Sequence, residues 1–354
     1  MKSFEEKIKL IIEQAIQDKV FPGAVFVILK DNEIVFSEAF GHFTYDLNSP
    51  VVNKDTLYDI ASVSKQIVAT GVIKLIELGK LKLNEPIMSY LPNIKTSLIG
   101  NRTILQLLTH TSGIKVEMSK LSKKELDELL LGNLPDSLSF EEPNLKVEYC
   151  NINTYLLGEI ISEVSGKSLE TFLKEEIFIP LDMKDIKYCP NYLLSAQIPP
   201  TEILNDGSTI QGIVHDESSR ILGGKVGQAG LFSSAIDLAK FISFWINDSV
   251  NLKILKKETK DLAVKNYTKD KNLNAGLGWH LDNKTYLGNY FESGTFFHPG
   301  FTGTIIGSNR KNNIGFVFLS NSSYPKREGN KLKNRVFQSL LDETFLRLIQ
   351  KNSN

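Results

Sequence analysis

The chain has 354 residues, 42% of them apolar and 23% charged, enough to bury a large core in one or two domains. Lysine plus arginine balances aspartate plus glutamate, 41 against 41, so no net charge draws the protein to nucleic acid or to an anionic membrane. Two cysteines, Cys150 and Cys189, make neither a zinc spacing nor a disulfide framework and fit a reducing compartment.

At the start, Phe4, Ile8, Ile11, Ile12 and Ile16 recur at helical spacing with Glu5, Glu6, Lys7, Lys9 and Glu13 between them. Those charges interrupt the apolar core of about 7–15 residues that a secretory signal needs. No run elsewhere reaches the length of a membrane span, so the expected location is cytoplasmic. Two strand-like runs follow, 23–30 and 33–41, with Asp31-Asn32 reading as a tight hairpin turn. From 62 to 79 the period changes to helical, with Ile67, Val68, Val72, Leu75 and Ile76 on one face. Thr103 to Gln106 is a capping-box start for a short helix ending near His110.

The middle, about 96–225, reads as helices and loops, with helices at 121–132, 151–166 and 168–177. Ser234 and Asp237 open another helix to about 247. Beyond 275 the character is β: AGLGWHL, TYLGNYFES, GTIIGSN and IGFVFLSN are short runs bounded by glycine and asparagine. A last amphipathic helix spans about 331–350. The expected fold is α+β: one antiparallel sheet from both ends of the chain, flanked by the terminal helices and interrupted by a mostly helical insertion. The expected domains are 1–95 with 226–354 for the sheet and 96–225 for the insertion.

Four Ser-x-x-Lys pairs occur: Ser62/Lys65, Ser112/Lys115, Ser308/Lys311 and Ser323/Lys326. Only Ser62 stands at a strand-to-helix junction and opens a strongly periodic helix. Residues three apart share a helix face, so an amine can lie beside the hydroxyl, and a helix N-terminus favours developing negative charge. From these residues alone a capping serine followed by a solvated lysine is the favoured explanation, since serine is common at that position. Tyr149-Cys150-Asn151 is the chain's one Tyr-x-Asn and precedes an apolar helix. A tyrosine needs a neighbouring cation to act as a base near neutrality. Lys65 can supply that cation, or be the base itself if desolvated. A third segment, His298 to Thr304 (HPGFTGT), adds a glycine-rich edge that a substrate backbone can approach.

In this order and spacing, Ser62-Val63-Ser64-Lys65, Tyr149-Cys150-Asn151 and His298-Pro299-Gly300 resemble the serine β-lactamase and penicillin-binding-protein-like hydrolases, nearest the class C β-lactamase, D-aminopeptidase and esterase type. LLTHTSGI, GQAGLFSSAIDLAKF and NSSYP extend the similarity over nearly the whole chain. The resemblance implies a β-lactamase/transpeptidase-like fold with an inserted all-α domain, and an acyl-enzyme on Ser62. It implies Lys65 as activator, Tyr149 as general base and acid, and Asn151 on the substrate amide. The backbone N–H groups of Ser62 and Phe301 would form the oxyanion hole, beside Gly300.

Where that family often has Lys-Thr-Gly, this chain has His298-Pro299-Gly300. A largely neutral imidazole replaces a fixed cation, so efficient β-lactamase activity is not expected and esters, amides or peptides are. The segment 214–235 is also similar to a cell-wall-turnover subgroup that includes muramoyl-alanine amidases, although Gln228 stands where that subgroup often has histidine. The expected partner is a small-molecule, peptide or muropeptide substrate. The resemblance implies no cofactor, and no pair among His42, His110, His215, His280 and His298 has a metal-ligand spacing. GGKVGQAG lacks the Gly-Lys-Ser/Thr ending of a phosphate loop. A non-catalytic ligand-binding protein on the same scaffold is the alternative of another class, and oligomeric state has no signal in the sequence.

Overall fold

The computed structural model describes residues 2–94, 97–130, 138–188, 197–248, 253–327 and 332–350. Cys189, the end of the helix expected over 121–132, and residues 95–96 at the expected domain boundary lie outside them.

The hairpin forms as its alternation dictates: β1 (Gly23–Lys30) turns through Asp31 and Asn32, both at positive φ, into β2 (Glu33–Gly41). β1 lies inside the sheet and its side chains alternate between two cores. Val25, Val27 and Leu29 face one, while Ala24, Phe26 and Ile28 face the other. Burial on both faces explains why this strand reads as an unbroken apolar run.

After β3 (Tyr58–Asp59) the chain makes one 3₁₀ turn, Ala61–Val63, and enters α1 (Ser64–Glu77). Every residue of α1 from Ser64 to Leu75 is buried. It is a central helix, not the one-faced helix its apolar stripe suggests. α2 (Asn151–Ser165) packs on it. The other strands of the two larger sheets are β4 (Lys187–Tyr188), β5 (Leu231–Ser233), β6 (Asn274–Ala275), β7 (His280–Leu281), β8 (Thr295–Gly300), β9 (Thr304–Asn309) and β10 (Ile314–Ser320).

The main sheet has seven antiparallel strands in the order β6-β7-β8-β9-β10-β1-β2, so the first hairpin pairs with the last strand. A smaller sheet, β3-β5-β4, anchors the segment before the 3₁₀ turn. α3 (Ala235–Ile246) covers β1 and β10 on one face. The N-terminal helix Phe4–Gln17 and α4 (Lys333–Gln350) cover the other face. This is the expected α+β architecture. Trp245 and Trp279 are buried against each other and Phe296 in the first core.

Two local expectations change. TFFHPG is itself a strand, β8, with His298 and Pro299 paired to Ile306 and Ile305. TYLGNYFES is not: Lys284–Leu287 is a helical turn, begun by the Asn283 side chain accepting from the Thr285 N–H. That turn packs on α4, so tertiary contact and a cap override the β-prone side chains. Among the described residues no helix is long and apolar enough to cross a membrane.

Candidate active site

The site begins with a turn under constraint. Ala61 holds φ 46°, in the left-handed region that costs a residue with a Cβ about 1 kcal/mol or more. The buried Asp59 braces this turn, its Oδ1 accepting from the Ala61 N–H at 2.8 Å and its Oδ2 from the His215 N–H at 2.7 Å. Burial raises the Asp59 pKa to about 6, against the pull of those two N–H groups. From the turn after β8, Thr302 Oγ1 donates to the Asp59 carbonyl at 2.7 Å, and from the start of β9 Thr304 Oγ1 donates to the Ile60 carbonyl at 3.1 Å.

Ser62 emerges from this turn, partly exposed, and caps nothing: α1 starts without any side-chain cap. Its Oγ instead accepts from Lys65 Nζ at 2.9 Å and from the Tyr149 hydroxyl at 2.7 Å. Lys65 is only 2% exposed, not solvated, and also donates to the Gln228 carbonyl at 2.6 Å. Desolvation lowers its pKa to about 7, although the carboxylate of Asp216 acts in the opposite sense. Its ammonium lies 5.0 Å from the Tyr149 ring centroid.

Tyr149, 43% exposed, leans over the cleft, while the protein packed around it desolvates the phenol and raises its pKa. Three imidazoles surround the ring, His110 at 4.8 Å, His280 at 6.3 Å and His298 at 6.4 Å between centroids. Burial holds His110 down to about 3 and His280 to about 4, and puts His298 well below its ordinary value, so all three are neutral at pH 7. His298 Nδ1 lies 2.9 Å from the Pro299 carbonyl, which only accepts, so that nitrogen carries the proton. The strand position that is often a lysine therefore presents no charge.

Asn151 opens α2 and donates to Asp216 Oδ2 at 3.2 Å. Asp216 caps the helical turn Glu217–Ile221. Burial opposes its charge, but hydrogen bonds from Ser218 and Ser219 and the charge on Lys65 keep its pKa below the usual range. Gln228 is fully buried, its Nε2 3.4 Å from Ser218 Oγ. Gly300 lies against the turn: a Cβ there would come within 2.0 Å of Thr304 Oγ1 and 2.6 Å of the Ile60 carbonyl. Phe301, 44% exposed, sits at the rim 5.4 Å from the His215 ring. A pocket of ≈ 420 Å³ adjoins Tyr149 and includes Lys115, Lys120 and Glu148.

The structure thus brings Ser62, Lys65 and Tyr149 into direct contact and places Asn151, His298, Gly300 and Phe301 around them. Sequence reasoning did not single out Asp59, whose adjacency to the turn was its only signal, or His280, which had none. Among the described residues no group of three histidine, cysteine or acidic side chains is arranged to hold a metal ion.

An antiparallel sheet between terminal helices, with a serine, a buried lysine and a tyrosine at its junction with a helical layer, is the fold of the β-lactamase/transpeptidase-like hydrolases. The chain belongs to the β-lactamase family, whose model, described as "Beta-lactamase", matches residues 8–340. It is 27% identical over 348 residues to a Bacillus subtilis (strain 168) protein named N-acetylmuramyl-L-alanine amidase, covering 86% of this chain and 78% of the relative. It is 28% identical over 387 residues to an Escherichia coli (strain K12) protein named "Putative D-alanyl-D-alanine carboxypeptidase", covering 94% and 88%. Among solved structures it resembles EstCE1, described as a hydrolase with promiscuous acyltransferase activity, at a TM-score of 0.77 and 19% identity over 97% of this chain and 98% of the other. At that identity the likeness is one of fold.

Proposed function

We propose that this hydrolase works through an acyl-enzyme on Ser62. The observation that carries the reading is the convergence of two donors on one oxygen, Lys65 Nζ and the Tyr149 hydroxyl on Ser62 Oγ. Lys65, drawn down to about 7, is neutral in a large fraction of molecules at mildly alkaline pH, whereas the Tyr149 phenol resists ionisation. These directions favour Lys65 as the base and Tyr149 as the acid. Ser62 Oγ bonds to the acyl carbon as its proton moves to Lys65. The tetrahedral oxyanion is received by the N–H groups of Ser62 and Phe301. The bond to the leaving group then breaks, the leaving group takes the Tyr149 proton, and Lys65 returns a proton to Tyr149. Water repeats the sequence on the acyl carbon, releasing the acid and restoring Ser62.

The substrate is an ester, amide or peptide. A neutral His298 offers no charge to a β-lactam or peptide carboxylate, which disfavours penicillins. The names of the two relatives favour a muropeptide amide or a D-alanyl peptide as the second, narrower reading.

The test is covalent. The native protein and Ser62→Ala are incubated with a fluorophosphonate and with a labelled penicillin, then mapped by mass spectrometry. A phosphonate adduct on Ser62, absent in the variant, is expected, with little penicillin adduct. No adduct and no turnover of simple esters by the native protein would leave a ligand-binding protein on a hydrolase scaffold.

A further inference from the structure

One buried charge beside the cleft has no part in the scheme above. Lys333, the first residue of α4, is 8% exposed and its ammonium donates to two consecutive carbonyls, Gly300 at 3.2 Å and Phe301 at 2.7 Å. It also stands 5.4 Å from the Phe301 ring centroid. Among the described residues it forms no ion pair, and burial draws its pKa down to about 7. A buried cation without a counter-charge is unfavourable, and two carbonyls compensate less than a carboxylate does. An apolar side chain would serve the packing alone better.

We propose that Lys333 is a positioning residue of the oxyanion pocket: seated on the Gly300 carbonyl, its ammonium polarises the Gly300–Phe301 peptide and strengthens the Phe301 N–H that receives the oxyanion. The inference rests on the reading of Ser62 and Phe301 given above. Carbonyl oxygen and N–H of one peptide are linked by resonance, so a cation on the oxygen draws density from the nitrogen and makes its proton a better donor. The peptide is gripped on both sides, the Gly300 Cα by Thr304 and Ile60 and its carbonyl by Lys333. The counter-charge that Lys333 does not find among the described residues arises as the acyl oxygen becomes negative on the far side of that peptide.

The test uses the full-length native protein with Lys333→Met, Lys333→Gln and Lys333→Arg, acylated by a neutral cinnamoyl ester carrying a ¹³C carbonyl. Infrared difference spectra read the acyl carbonyl stretch, which rises as its hydrogen bonds weaken. The Met variant should show a higher-frequency carbonyl and kcat lower by about tenfold, less than the roughly 100–1,000-fold cost of deleting a direct oxyanion donor. KM should stay within about twofold, since the interaction strengthens only as charge develops. Lys333→Arg should restore most of both readouts. Thermal unfolding reports folding separately, and if the Met variant does not fold, the Gln variant decides. An unchanged stretch and kcat in a folded neutral variant would overturn the inference. So would a KM rise confined to carboxylate-bearing esters, which would make Lys333 a carboxylate anchor. A native protein that never forms acyl-Ser62 overturns the parent reading along with this one.

Discussion

Lys65 joins burial to chemistry most directly. Its depressed pKa means that the fraction able to accept the Ser62 proton increases as pH rises through about 7. kcat/KM for a neutral ester should therefore climb on the acid side as pH rises through about 7, and fall by no more than the roughly tenfold contribution of Lys333 as that lysine, also drawn down to about 7, loses its proton. The Asp216 carboxylate raises the Lys65 pKa, so Asp216→Asn should move the midpoint to lower pH. It should also raise KM, because Asn151 loses its charged acceptor. Rate profiles of both proteins check this, and a midpoint unmoved or shifted upward in the variant would remove Lys65 as the titrating base. At this scale the meeting of Ser62, Lys65 and Tyr149 was legible before any fold was known. The i,i+3 spacing of Ser62 and Lys65 is itself a geometry, and Tyr149 stands in a short motif of its own. Lys333 and His280 were not legible, because each reaches the site through a tertiary contact with no local signature, and Asp59 offered only its adjacency to the turn. A lysine at the head of a terminal helix reads as solvated until that helix packs behind β8.

Elements follow the same division. The first hairpin, α2 and α3 formed close to where periodicity and caps placed them. The turn at Lys284–Leu287 did not, since four residues carry too little pattern to outweigh a cap and a neighbouring helix. Close approach between elements is equally invisible in a sequence. Gly227 meets α2 so closely that a Cβ would lie 2.0 Å from the Thr154 carbonyl, with the Gly158 Cα 3.2 Å away. The next residue, Gln228, accepts from Lys65, so this contact fixes where the amine can sit. Gly227→Ala forces α2 and the Gln228 loop apart, and overpacking of this kind costs about 1–3 kcal/mol. The denaturation midpoint should fall, and phosphonate labelling of Ser62 should slow even under conditions where the variant is fully folded. A variant of native stability and labelling rate would show that the loop yields freely and does not set the site.

For the whole molecule, the consequence lies in how the two ends of the chain meet. β1 fills the place between β10 and β2, and the N-terminal helix packs on α4, so the first 41 residues complete a sheet whose other strands come from the last third. None of the residues around Ser62 comes from that segment. Yet without it β10 becomes an open edge, Phe318 loses the contacts of Phe21 and Phe26, and Phe316 loses its strand partner Ile28. Lys7 pairs with Glu343 at 3.0 Å, and residues 2–4 line one pocket with Leu346 and Arg347, so the described ends are neighbours in space. What the fold requires of this segment is therefore its presence, not its position in the chain. A circular permutant that begins at Asn48 and carries residues 1–47 after residue 354 through a Gly/Ser linker of about eight residues should fold and label at Ser62. The opening is placed beside Leu47, which is 80% exposed. The same chain begun at Asn48 without the transplanted segment should show no cooperative unfolding transition and no labelling. Labelling by the shortened chain would mean that the site is held by the helical layer and the smaller sheet alone. Failure of both chains would mean that the order in which the strands emerge, and not only the finished sheet, governs folding.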